Sequence, residues 1–198
     1  GGHIVYSAGT GASGTGGFVS LATGYGTASS SGSIRMQTVN AGVDGVSGSM
    51  SFFTGTTSSG SSGNILIATG QANTGRGGSM IVSVGTGTTS DGGDISISSG
   101  DTNELTGGTL SLSAMHGTTK SSGSIRVKTA NAGVSGVSGE LSFTSGTTSG
   151  GSSGAIRLTT GAATNGQGGS ISMLVGLSKT DAGGHIVSSA GNSLPLTG

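Results

Sequence analysis

The sequence predicts an all-β fold: a parallel β-solenoid (β-helix) with three strands per coil of about 45 residues. Three observations carry that expectation. The first is a period of fifteen, with repeats opening at residues 1, 16, 31, 47, 62, 77, 92, 107, 122, 138, 153, 168 and 183, each on Gly-Gly or Ser-Gly. Self-similarity at a fixed period is the signature of repeat architectures and has to be recognised before any single element is assigned. The second is alternation inside each repeat. After the opening pair the pattern runs x-apolar-x-apolar-x-small, as in GGDISISSG (92–100) and SGAIRLTTG (153–161). A period of two sends alternate side chains to opposite faces of an extended chain. The third is a longer period of 91 residues, by which 32–63 return at 123–154 and GGHIV at 1–5 returns, two steps on, at 183–187.

Position 4 of the repeat, the first apolar column, holds Ile4, Val19, Ile34, Met50, Ile65, Met80, Ile95, Leu110, Ile125, Leu141, Ile156, Ile171 and Ile186. Position 6 holds Tyr6, Leu21, Met36, Phe52, Ile67, Val82, Ile97, Leu112, Val127, Phe143, Leu158 and Met173, with Ser188 as the one polar residue. Both columns are expected to face inward as the core. Position 8 is small throughout, from Ala8 and Thr23 to Val175 and Ala190, so side chains taper towards a corner. Between segments lie seven to nine residues such as TTSSGSS (56–62), whose Gly and Ser suit tight turns, including those at positive φ.

Six repeats make the 91-residue step, which allows two or three strands per coil. Sorting position 6 by three separates Tyr6, Phe52, Ile97, Phe143 and Ser188 from Leu21, Ile67, Leu112 and Leu158, and these from Met36, Val82, Val127 and Met173. Sorting by two mixes them, which favours three. The two sixteen-residue repeats place their extra residue in NAGVDGVSG (40–48) and NAGVSGVSG (131–139). An antiparallel meander or barrel with seven-residue loops is the alternative that the period leaves open. The whole of 1–198 reads as one continuous array, a window of a longer protein.

Composition narrows the function. Of 198 residues 45 are Gly, 7% are charged and 3% aromatic, with no Trp and no Cys, so any core is thin and repetitive. Seven basic residues balance seven acidic ones, which removes the cationic footprint that nucleic acid or an anionic membrane surface attracts. Neither is an expected partner. No apolar run approaches the ~18 residues of a membrane helix.

The candidate sites each have a plain explanation. Gly9, Gly11 and Gly14 match the dinucleotide-binding spacing, but that motif requires a following helix in a βαβ unit. Asp91, Asp94, Asp101 and Glu104 are the one acidic cluster, without the Asp per nonapeptide of calcium-binding β-rolls. His3, His185 and His116 stand apart from other ligand-type residues, and no G-x-S-x-G elbow is present. Arg35 and Arg126 occupy matching outward positions, with Gln37 and Lys128 two residues on, and keep a segment face soluble. No catalytic, cofactor or metal residue is assigned, and no enzyme is expected.

The GGxIxIxSG repeats with Ser/Thr/Gly turns resemble, over the whole chain, the long tandem arrays of secreted and cell-surface proteins of heterokont algae such as diatoms. The resemblance implies an extracellular or cell-surface structural protein: a fibre, covering or adhesive filament. The array shows no polar cap at either end, which predicts assembly from copies of itself, and the Ser/Thr hydroxyls of the turns suit O-linked glycans or contact with extracellular polysaccharide. The fifteen-residue length is also similar to the coil of some insect β-helical antifreeze proteins, whose Thr-x-Thr ranks are missing here. The other reading is a binding module for ice, mineral or carbohydrate, which a rank of identical outward residues would favour. The sequence contains no N-x-Ser/Thr sequon.

Overall fold

The computed structural model describes residues 2–117, 121–179 and 182–191. The chain separates into two units, Gly1–Ile97 and Ser98–Gly198, called here the first and second halves. Among the described residues there is no helix and no strand. The expectation of an all-β protein, and of a three-stranded β-solenoid in particular, is therefore wrong, and the antiparallel meander or barrel falls with it.

What the residues form instead is a series of extended segments joined by closed loops. In the first half the chain bends at 12–14, 27–29, 58–60, 73–75 and 88–90 and turns at 43–44. In the second it bends at 103–105, 149–151 and 164–166 and turns at 134–135. The fifteen-residue period is thus physical, and the two turns fall in the two sixteen-residue repeats.

Each loop is closed the same way. The small residue at position 8 lies against the second glycine of the next repeat, and this holds at all twelve junctions. A Cβ placed on Gly17 would stand 3.2 Å from Ala8 Cβ, and one on Gly63 would stand 3.6 Å from the Thr54 methyl. The closest cases have valine at position 8, with Val84 Cγ1 at 2.8 Å for Gly93 and Val175 Cγ1 at 2.9 Å for Gly184. Close approach is what those glycines provide. None of the described glycines has a positive φ, so the expected left-handed turns do not form.

Consecutive repeats are the neighbours, which contradicts a parallel coil where each repeat would lie beside the third one along. Thr54 of 47–61 meets Gly63 of 62–76. Beyond the loop mouth of the first pair, Tyr6 faces Val19, Ser20 and Leu21 across a concavity of about 350 Å³. A β-ladder needs N–H and C=O groups aligned across ~4.8 Å for several residues, and among the described residues the backbone hydrogen bonds are confined to the loops.

The expected core is likewise not enclosed. No described residue is buried, and the chain exposes 20189 Å². A folded monomer of 18.5 kDa exposes roughly 8,000 Å² and an unfolded chain roughly 27,000 Å². The alternation is still visible in exposure. Position 4 is 52% exposed at Ile34, 49% at Leu141 and 54% at Ile171, whereas outward Phe53 and Leu174 are at 86% and 92%. Position 4 is the more covered column in most segments, whereas in the first repeat Ile4 and Tyr6 are as open as outward Val5.

Candidate functional site

The most built feature of this chain is the loop junction. Six backbone hydrogen bonds close or tighten the described loops, and they fall into three pairs separated by 91 residues. Gly17 N–H donates to Gly9 C=O, as Gly108 does to Gly100, both at 2.8 Å. Gly32 donates to Gly24 at 3.2 Å and Gly123 to Met115 at 3.0 Å. Gly45 donates to Gly42 and Gly136 to Gly133, both at 3.3 Å, across the turns of the sixteen-residue repeats. The 91-residue step is therefore a structural period as well.

Position 11 of the repeat shapes the bend. Where it is Thr, the hydroxyl oxygen accepts from backbone amides just ahead: Thr57 from Gly60 at 3.1 Å, Thr148 from Gly150 at 3.4 Å, and Thr102 from Glu104 and Leu105 at 3.4 and 3.3 Å. This is the local side-chain turn that Ser and Thr favour. Where it is glycine, as at Gly11 and Gly26, backbone carbonyl oxygens sit 2.5–2.7 Å from where a Cβ would be. At two junctions position 8 adds a bond of its own, from the Thr23 hydroxyl to Gly32 C=O at 3.2 Å and from Thr69 to Gly78 C=O at 3.4 Å.

The residues singled out for chemistry do not converge. Arg35 Nε donates to Gln37 Oε1 at 2.6 Å along one outward face, a neutral partner that leaves the guanidinium charge in the open. Among the described residues no three of His, Cys, Asp or Glu gather where they would hold a metal ion, so Asp91, Asp94, Asp101 and Glu104 remain separate. Gly9 and Gly11 precede the bend at 12–14 and Gly14 closes it, with no helix after it among the described residues. The concavity beside Tyr6 is lined by Val19, Ser20 and Leu21, all exposed, and offers no convergent polar groups. Among the described residues no helix is long and apolar enough to cross a membrane.

Position 11 and the pairing of position 8 with glycine were missed in the sequence. Their signal was present as complementarity: a column limited to Ala, Ser, Thr and Val recurs nine or ten residues before an unvarying glycine. No protein-family model, curated protein or solved structure matches this chain.

Proposed function

We propose that this chain is a non-enzymatic, extracellular structural protein whose copies assemble into a fibre, a cell-surface covering or an adhesive filament. The observation that supports it most is sidedness without an interior. The repeats carry an apolar face whose large side chains remain exposed, from 47% at Met50 to 84% at Tyr6, while the chain is sparsely charged and has net charge zero. Apolar surface on that scale is stabilised by leaving water, and nothing within a single chain removes it. Ser and Thr hydroxyls of the loops are open positions for O-linked sugars, which keep such a covering wet.

Light scattering and negative-stain electron microscopy across a concentration series test this reading. Particles that lengthen as concentration rises are the expected result. A chain that stays monomeric at every concentration rejects it. Antibody labelling of intact, unpermeabilised source cells tests the location, and label confined to permeabilised cells rejects that part.

A further inference from the structure

We infer that the face formed by positions 4, 6 and 8 is the contact between copies, and that either half of one chain docks onto either half of another. The inference rests on the reading above and adds the surface and its register.

The choice of face follows from charge and exposure. Positions 4, 6 and 8 carry no charged residue in any of the thirteen repeats. The outward positions 3, 5 and 7 carry Arg35, Asp94, Arg126, Lys128, Glu140 and Arg157. The remaining acids sit in loops, as Asp91 does. Pairing two outward faces takes charged groups out of water, whereas pairing two column faces takes none. Position 4 is also more covered than the outward positions, at 47% for Met50 and 54% for Ile156 against 86% for Phe53, while position 6 stays open at 59% for Val127 to 84% for Tyr6 and is available to a neighbour.

A second copy fits it by size. Stable protein interfaces use about 20–30 residues a side. The three columns supply twenty residues in the first half and nineteen in the second. Each half is by itself about one interface. Partners of either kind then meet related surfaces, because several positions 91 apart hold the same residue, as do Ile34 and Ile125, Phe52 and Phe143, and Val84 and Val175, while others differ in size, as do Tyr6 and Ile97 or Met36 and Val127. The loop bonds repeat at the same step. A chain whose halves are interchangeable joins two others, one through each half, and growth stays open rather than closing on a dimer.

The chain has no cysteine, so single thiols report cleanly. Ile34→Cys carrying a benzophenone-maleimide is mixed with an isotopically labelled, otherwise natural chain and illuminated, and attachment sites are mapped by mass spectrometry. Attachments are expected at positions 4, 6 and 8 of the partner, in sets 91 residues apart. The same label at outward Ser51→Cys should attach at least about fivefold less. Thr38→Cys serves as a second inward probe should Ile34→Cys fail to assemble. Attachment at one site without its counterpart 91 residues away overturns the register, and equal attachment from Ser51→Cys overturns the face. Assemblies that scatter light yet show either result reject this inference alone, whereas the absence of assemblies rejects the function. A chain that stays monomeric and co-floats with phosphatidylcholine vesicles would mean that lipid covers the face.

Discussion

Loops 9–17 and 100–108 hold the same place in the two halves and reach the same closure by different chemistry. Both end on a glycine amide donating to a glycine carbonyl at 2.8 Å. Inside the first, Gly11 lets the carbonyls of Gly14 and Thr15 come within 2.7 Å of its Cα substituent position. Inside the second, Thr102 stands at the equivalent site and its hydroxyl accepts from the Glu104 and Leu105 amides. A bend can be made by removing a side chain so that backbone packs on itself, or by using a hydroxyl to satisfy the amides that the bend leaves bare. The mouth is what the two loops share. Its glycines are therefore expected to matter more than whatever occupies position 11.

The largest effect should come from valine at the mouth. In Gly17→Val the new Cβ meets Gly9 N at 3.1 Å and Ala8 Cβ at 3.2 Å, and in Gly108→Val it meets Gly100 N at 3.2 Å and Ser99 Cβ at 3.3 Å. Overpacking of this kind costs about 1–3 kcal/mol, which is ~5- to ~150-fold faster amide exchange at the substituted residue. The two halves should respond alike. Opening of one loop without the other would show that the shared bond does not govern both.

Position 11 separates them. Gly11→Ala has to displace two carbonyl oxygens and should cost about 1–2 kcal/mol, while Thr102→Ala forfeits one exposed acceptor and should cost about 0.5–1 kcal/mol. Amide shifts in a ¹⁵N correlation spectrum are the readout: movement across 9–17 for the first, confined to 103–105 for the second. Equal spread in both would mean that the loops are not built in the two ways described. Smallest of all is the pair Thr57→Ala and Thr148→Ala, which remove single bonds of 3.1 and 3.4 Å at equivalent sites. About 0.5 kcal/mol each is expected, as a modest rise in the temperature coefficients of the Gly60 and Gly150 amides.

Periodicity was readable because it depends on spacing. The positions of Gly17, Gly32 and Gly108 and the 91-residue step came directly from counting, as did the two faces, which Ile34 and Phe53 distinguish by exposure. Strand pairing was not readable. An alternating run such as ISISSG (95–100) says which side chains share a face, but a ladder also requires a partner in register along its length, and that depends on how segments meet. They meet at position 8 and glycine, as at Thr54 and Gly63, and among the described residues no ladder extends from that contact. Sorting position 6 into threes reflected the kinship of residues such as Phe52 and Phe143, which the 91-residue step accounts for without a three-sided coil. Glycine in the turns suits positive φ, but none of the described glycines adopts it, and what Gly17 and Gly93 provide is close approach.

Because every closure joins a repeat to the one directly after it, the array has a natural unit of inheritance. Excising residues 62–76 as a block would bring Thr54 up to Gly78, a glycine of the same kind as Gly63, and leave each remaining junction as it was. Removing five residues instead would strand one position-8 side chain without its glycine. Gains and losses in steps of one repeat are thus nearly silent for local structure, as expected where contacts reach only nearest neighbours. Copy number can change in such steps without disturbing any junction.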